Sequence, residues 1–150
     1  MKALTIVGCL LLLGLTVKQS PDQKLLEDAK ALEGVWELQH QYLYENDAIM
    51  DTLQNENGYR QVKMYGQGRV MWTRHNPEDA NEWFGFGTYT VKDGMLEERL
   101  EYASGPMMKI MDTVNVFRFE LVMDGDRYQQ IELDENGYHS RSENYIRLKQ

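Results

Sequence analysis

The chain has 150 residues, enough for one domain with a substantial core and too few for two. Its formal net charge is −8, from 16 Lys and Arg against 24 Asp and Glu, and no basic patch offsets this excess. Nucleic-acid grooves and contacts with anionic membranes require positive potential, so the composition argues against both. Cys9 is the single cysteine, which excludes a disulfide framework within the chain.

The first twenty residues differ from the rest. Lys2 precedes an apolar run at 3–15, which has the length of a secretory h-region and is too short to span a bilayer. We therefore predict that residues 1–20 are a cleaved export signal and that the mature protein is periplasmic or extracellular. An N-terminal membrane anchor is the alternative. Cys9 follows a lipobox-like triplet, but only a few apolar residues precede it, so we interpret this match as chance.

A short helix is predicted where the mature segment, residues 21–150, begins. Ser20 at the N-cap, Pro21 at the first helical position and Gln23 form a capping-box pattern. The apolar residues that share one face of this helix are Leu25, Leu26, Ala29 and Leu32. Gly34 is a typical residue for ending a helix. The helix therefore has an apolar stripe that must pack on the domain.

After Gly34 the sequence alternates between strand-like runs and turns. The eight predicted strands cover 35–44, 59–65, 69–75, 82–91, 95–103, 114–122, 126–133 and 139–148. Segments 45–57 and 104–113 are predicted loops that could cover a barrel mouth. Eight antiparallel strands joined by short turns can close into a barrel with room for one small ligand. The predicted fold is an all-β, eight-stranded, antiparallel up-and-down barrel; an open sandwich is the alternative.

The triplet Gly34-Val35-Trp36, at the head of the first strand of such a meander, resembles the lipocalin pattern. In that family the tryptophan plugs the closed end of the barrel, and an arginine from the last strand lies across it. The resemblance implies that Gly34, Trp36 and Arg147 form the barrel floor. A guanidinium over an indole ring contributes about 0.5–2 kcal/mol of cation–π energy.

A closer resemblance is to small bacterial lipocalin-like proteins of the DUF4488 type, common in Bacteroidetes. It covers residues 32–148 and rests on the segments KMYGQGRVMW, GTYTV-KDG, LEYAS and ENYIRL. Two features depart from the wider lipocalin pattern: Tyr145 stands where a tryptophan is expected, and the cysteines of many secreted lipocalins are absent. The resemblance implies a lipocalin-like fold and an exported protein, and it carries no assigned activity.

Strand alternation predicts which side chains face the barrel lumen. If Trp36 points inward, so do Leu38, His40, Tyr42 and Tyr44. The same argument applied around the barrel gives the predicted ligand-binding residues: His40, Tyr42, Trp72, Tyr89, Glu98, Tyr102, Phe119, Tyr128 and Tyr145. Glu98 needs a partner, because a buried unpaired carboxylate costs several kcal/mol. Arg147 or an inward tyrosine hydroxyl would serve.

Three hypotheses about function follow. The first is a binding protein that holds a small hydrophobic or amphipathic molecule among lumenal aromatic side chains. The second is a barrel isomerase or cyclase in which Glu98 and Glu143 act as an acid–base pair. The third is an envelope interaction domain with a filled core. We predict no catalytic residues, metal site or cofactor, because the histidines lack ligand spacing and no catalytic motif occurs. The sequence does not predict the oligomeric state.

Overall fold

The computed structural model describes Glu27 and residues 29–149, and the predicted export signal lies outside them. The strands of this part of the chain are β1 (Gly34–Glu45), β2 (Ala48–Gln54), β3 (Arg60–Gly66), β4 (Arg69–His75), β5 (Trp83–Lys92), β6 (Met95–Ala103), β7 (Val116–Asp124), β8 (Arg127–Leu133) and β9 (His139–Arg147). All pair antiparallel in the order β2-β1-β3-β4-β5-β6-β7-β8-β9, and β9 also pairs with β1. Eight strands, all except β2, thus close into a near-barrel ring. This confirms the predicted up-and-down fold.

Strand β2 lies within a segment, 45–57, that was predicted to be a loop, and that prediction is wrong. It pairs with the second half of β1, from His40 opposite Gln54 to Glu45 opposite Ala48, and stays outside the ring. The turn between the strands places two consecutive residues at positive φ, Asn46 at 51° and Asp47 at 61°. This is the conformation of a tight hairpin turn, which asparagine and aspartate tolerate better than most residues.

Two helices accompany the sheet in the part of the chain that the structure describes. In α1, residues 29–32 are helical and lead directly into β1, whereas the predicted cap at Ser20 falls outside the described residues. The segment 104–113, predicted to be a loop, contains helix α2 (Gly105–Met111), with Pro106 in its first turn. Pro is favourable there because it has no N–H to leave unpaired. Neither described helix is long and apolar enough to cross a membrane.

Trp36 closes one end of the ring. It is fully buried, and its Nε1 donates a hydrogen bond to the Leu32 carbonyl at 2.8 Å. The Arg147 guanidinium carbon lies 4.0 Å from the centre of the indole ring. Arg147 also donates to the carbonyl oxygens of Ala31, at 2.8 Å, and Glu33. The last strand therefore satisfies carbonyl groups at the C-terminal end of α1 that have no partner within the helix.

Gly34 joins α1 to β1 with a φ of 138°, a value that side-chain-bearing residues rarely adopt. A Cβ atom at this position would overlap the Arg147 guanidinium. Glycine thus serves both the change of chain direction and the contact between Arg147 and Trp36.

The half of the ring beside Trp36 is a packed aromatic core. Tyr65, Tyr89, Tyr128 and Tyr145 are each at most 5% exposed. Tyr128 stacks on Tyr145 with ring centres 4.6 Å apart, and it meets Trp36 edge-on at 4.8 Å. Such rings bury large areas and add directional contacts, so they hold this end of the ring closed.

A β-bulge in β1 reverses the predicted orientation of the second half of that strand. Gln39 has no partner in β9, and His40 pairs with Asn144 on the outer surface. Because side chains alternate along a strand, one extra residue turns every later side chain to the other face. His40, Tyr42 and Tyr44 consequently lie on the outside, and the prediction that they point into the lumen is wrong.

A second bulge, in β6, has the same effect on Tyr102. Phe86 pairs with Tyr102 and Gly87 with Leu100, which leaves Glu101 as the extra residue. Tyr102 is 54% exposed and stacks on the outward-facing ring of Phe86, with ring centres 5.2 Å apart. The predicted inward orientation of Tyr102 is therefore also wrong.

Candidate functional site

The half of the ring away from Trp36 contains a cavity of about 250 Å³, here called the lumenal pocket. Its lining residues are Gln61, Lys63, Trp72, Arg74, Trp83, Glu98, Leu100, Met107, Ile110, Phe117, Phe119, Gln130, Glu132 and Glu143. One side of this set is aromatic and aliphatic, and the other is charged or carries amides. Such a mixture is typical of sites that bind small organic molecules.

A buried ion pair forms the deep polar surface of the lumenal pocket. Lys63 Nζ lies 2.9 and 3.1 Å from the two carboxylate oxygens of Glu98, and it also donates to Gln130 Oε1 at 2.9 Å. The Tyr65 hydroxyl donates to Glu98 as well. Lys63 and Glu98 are 4% and 3% exposed, so both charges depend on these partners rather than on water.

Glu143 is the centre of a second group of hydrogen bonds. Its Oε2 accepts from the Tyr145 hydroxyl at 2.6 Å, from Gln130 Nε2 at 3.0 Å and from Gln61 Nε2 at 3.1 Å. Gln130 therefore bridges the carboxylate of Glu143 and the ammonium group of Lys63. These hydrogen bonds make one continuous network across three strands, in which each member fixes the orientation of the next.

Trp72 and Trp83 form the aromatic wall. Space for the Trp72 indole exists because residue 85 is glycine: a Cβ atom there would lie 2.7 Å from Trp72 Nε1. Trp83 Nε1 donates to the Asp79 carboxylate at 2.7 Å, which fixes the ring at the pocket mouth. The Arg74 guanidinium lies 5.9 Å from the Trp83 ring centre. Both indoles are thus held by specific contacts.

Helix α2 covers the pocket from the side. Met107 is 7% exposed and packs with Trp72 and Leu100, while Ile110 also reaches the lining. The next residue, Met108, points away and is 41% exposed. A short helix with an unbranched, flexible methionine on its inner side is a cover that can adapt to differently shaped ligands.

Burial changes the proton affinity of the groups around the network. Desolvation raises the pKa of Tyr65 well above 10.0, and the nearby Glu98 charge adds to this shift. Desolvation also raises the pKa of Tyr128 and Tyr145 well above the ordinary value. Although Glu132 as a residue is exposed, desolvation of its carboxyl group raises its pKa. The three tyrosines therefore remain hydrogen-bond donors throughout the physiological pH range.

The predicted ligand-binding residues fall into three places. Trp72, Glu98 and Phe119 line the lumenal pocket. Tyr89, Tyr128 and Tyr145 are in the packed core that includes Trp36. His40, Tyr42 and Tyr102 lie on the outer surface, for the reasons given above.

Sequence reasoning missed Lys63, Gln61, Arg74 and Trp83. Lys63 and Gln61 alternate with Val62 and Met64, whose apolar character favours the opposite assignment of faces in β3. Two features of the sequence favour the observed orientation, in which Lys63 and Gln61 face the lumen. Tyr65 shares the face of Lys63, and the predicted inward carboxylate Glu98 requires a cation. Arg147, one expected partner of Glu98, binds at the closed end instead; a tyrosine hydroxyl, that of Tyr65, does contact Glu98.

The hydrogen bonds within this network limit the reactions in which the carboxylates of Glu98 and Glu143 could take part. Both oxygens of Glu98 accept from Lys63, and Glu143 Oε2 accepts from three donors. Within the described part of the chain, no group of three or more His, Cys, Asp or Glu side chains could hold a metal ion. The arrangement can orient a polar group of a ligand through the Glu143 and Gln130 side of the pocket while the indoles contact its apolar part.

Comparison with known proteins supports the fold alone. No family model matches the sequence, and no curated protein matches it. Among solved structures, the chain is similar to an uncharacterized protein from Bacteroides eggerthii, with a TM-score of 0.51 and 11% sequence identity. The alignment covers 77% of this chain and 98% of that chain. At this identity the likeness concerns the barrel-like architecture.

Proposed function

We propose that the protein is an exported, lipocalin-like barrel that binds a small hydrophobic or amphipathic molecule in the lumenal pocket. The observation that carries this proposal is the cavity itself: about 250 Å³ between Trp72, Trp83 and Phe117 on one side and a polar network on the other. A dry engineered cavity of about 150 Å³ is enough to hold benzene. This pocket is larger, so it has room for a ligand with more than one ring.

The polar network favours an amphipathic ligand over a purely apolar one. Glu143 and Gln130 are oriented by their hydrogen bonds before a ligand arrives, so binding does not require them to reorganise. A polar group of the ligand would face them, and the apolar part would lie against the indoles. The filled-core alternative is less consistent with this cavity, since the half of the ring away from Trp36 leaves a space of about 250 Å³ beside its own hydrophobic cluster.

The family and the compartment are parts of the same proposal. The motifs beginning with Gly34-Val35-Trp36 favour the lipocalin-like, DUF4488-type group, and the apolar run at 3–15 favours export. Mass spectrometry of the protein from its native host tests the second point. A mature chain that begins close to residue 21 is expected; an intact residue 1 would overturn export by a cleaved signal.

Ligand binding is tested with prodan, a neutral naphthalene dye whose fluorescence reports an apolar environment. We expect saturable binding to the wild-type protein. Met107→Trp would place a large ring into the pocket, because Met107 is buried against Trp72, and should weaken prodan binding at least about tenfold. Met108→Trp is the matched control: it makes the same change one residue away on the exposed side of α2.

Circular dichroism establishes that both variants fold before their binding is compared. Absence of saturable binding to the wild type would overturn the proposal. So would equal binding by the Met107→Trp and Met108→Trp variants, because prodan would then bind outside the lumenal pocket.

A further inference from the structure

A second cavity lies on the outside of the ring, separate from the lumenal pocket. This outer groove has a volume of about 350 Å³ and runs over the outer face of β1, β9, β8 and β7. Its lining includes the apolar residues Val122 and Ile146 together with six polar or aromatic side chains: Tyr42, His40, Asn144, Gln129, Arg127 and Asp124. None of these six residues lines the lumenal pocket.

Strand register places the floor of the outer groove in two rows. In the first row, His40 pairs with Asn144, Asn144 with Gln129, and Gln129 with Val122. This row crosses four strands, which is about 14 Å at the usual strand separation of about 4.8 Å. In the second row, Arg127 pairs with Asp124 on one side and with Ile146 on the other.

The bulge at Gln39 supplies the wall of the groove. It turns His40 and Tyr42 outward, where their rings contact each other with centres 4.7 Å apart. Tyr44 meets Tyr42 edge-on at 6.3 Å and hydrogen-bonds with Ser142, so the row of rings is anchored to β9. Without the extra residue these rings would face the lumen and the outer surface would lack a wall.

Several polar groups in the outer groove have no side-chain hydrogen bond within the described part of the chain. The Tyr42 hydroxyl, the Arg127 guanidinium and the Asp124 carboxylate make no side-chain hydrogen bond or ion pair with any described residue. Gln129 and Asn144 donate through their amide nitrogens to Ser142 Oγ, at 2.9 and 3.3 Å. Those bonds fix both amide planes, and neither amide oxygen accepts a hydrogen bond from a described residue.

We propose that the outer groove binds a saccharide. Sugar hydroxyls donate and accept at once, and this groove offers both kinds of group on amides, a phenol, a guanidinium and a carboxylate. The opposite charges of Arg127 and Asp124 leave it formally neutral, which suits an uncharged ligand. The electron-rich faces of Tyr42 and His40 can contact the C–H bonds of a sugar ring.

An extended peptide is a poorer match to this surface. Peptide strands bind most readily along a free sheet edge, through main-chain hydrogen bonds. The groove lies on a sheet face, and β1, β9, β8 and β7 each pair with a neighbour on both sides. A compact ligand that uses side-chain contacts is therefore favoured.

Nuclear magnetic resonance of the nitrogen-labelled protein tests the inference with four probes: maltose, cellobiose, lactose and chitobiose, each titrated to high millimolar concentration. We expect at least one probe to shift the side-chain amide signals of Gln129 and Asn144 in a saturable manner. No shift of these signals with any of the four probes would overturn the proposal. Shifts confined to residues of the lumenal pocket would also overturn it.

Variants separate the groove from the rest of the surface. Tyr42→Ala should weaken binding of the active saccharide about tenfold, whereas Tyr138→Ala, at an exposed tyrosine outside the groove, should leave it unchanged. Arg127→Ala is the second variant, because Arg127 is exposed and its loss leaves no described group unpaired. Equal binding by the wild type and by both groove variants would contradict the assignment. Met107→Trp should bind the saccharide normally, so this test does not depend on the lumenal ligand.

Discussion

Lys63 and Glu98 face each other across the lumen as a buried ion pair, from strands β3 and β6 that are not neighbours in the sheet. The pair therefore connects opposite parts of the ring through its interior. Gln130 of β8 accepts a third hydrogen bond from Lys63, which adds another strand to the connection. The same ion pair therefore contributes to the stability of the ring and forms the deep polar surface of the lumenal pocket.

Breaking this pair from one side should be costly. Lys63→Met leaves the Glu98 carboxylate buried without its cation, and we expect a loss of about 3–5 kcal/mol in the free energy of unfolding. Glu98→Gln should cost a similar amount. The double variant should lose clearly less than the two losses together, because neither charge is then left unpaired. Urea denaturation of the four proteins measures this coupling.

Arg69 and Glu101 provide the control. They form an ion pair on the outer surface, with side chains 52% and 45% exposed. Arg69→Ala should change the free energy of unfolding by no more than about 1 kcal/mol. Comparable losses at Lys63 and Arg69 would mean that water reaches the lumenal pair in solution.

Trp36 is the second site with a large expected effect. Trp36→Ala removes a fully buried ring that contacts both Arg147 and Tyr128, and it should cost about 3–5 kcal/mol. Tyr138→Ala, at a 53% exposed ring, should cost about 0.5 kcal/mol or less. Thermal and urea denaturation measure both. A loss well below about 1 kcal/mol at Trp36 would contradict a buried barrel floor.

Two glycines inside the ring and one outside it allow a graded test of the space around them. A Cβ atom at Gly87 would overlap the backbone carbonyl of Arg99, which cannot move without disturbing the sheet. Gly87→Ala should therefore cost at least about 1–3 kcal/mol. Gly85→Ala should cost less, because the overlapping group is the side chain of Trp72. Gly66→Ala meets nothing within 4 Å and is the control. Equal unfolding midpoints for all three variants would disprove this ordering.

Alkaline pH should unfold the protein through its buried tyrosines. Tyr65, Tyr128 and Tyr145 have pKa values raised well above 10.0 by burial, so the folded state keeps protons that the unfolded chain releases. The free energy of unfolding should be constant with respect to these groups below pH 10. Above it, stability should fall by about 1.4 kcal/mol per pH unit for each tyrosine.

Tyr128→Phe is the variant that tests this interpretation. Among the described residues, the Tyr128 hydroxyl makes a single hydrogen-bond contact, at 3.5 Å with Tyr65, so its removal should leave stability at neutral pH nearly unchanged. The slope above pH 10 should decrease by about 1.4 kcal/mol per pH unit, since the Tyr128 phenol no longer contributes. Urea denaturation from neutral to alkaline pH measures the slope. An unchanged slope in the variant would show that Tyr128 ionises equally in both states.

The sequence by itself was sufficient to predict the eight-stranded ring. Alternating strands and turn residues are local features, and an antiparallel meander needs little else. The place of Trp36 at the end of the ring was implied by the lipocalin resemblance. The same resemblance predicted that Arg147 lies across Trp36. The inward carboxylate Glu98 was predicted together with its need for a partner, which the structure supplies in Lys63 and Tyr65.

Only the tertiary structure decided which side chains line each cavity. The bulges at Gln39 and Glu101 each add one residue to a strand, and because the side-chain period is two, that single residue moves His40, Tyr42 and Tyr102 to the outer face. The amino-acid sequence of one strand does not show where a β-bulge occurs, because the pairing of that strand with its neighbour determines the position of the bulge. The outer groove and the lumenal pocket thus both arise from strand register, a property of the closed ring rather than of any one segment.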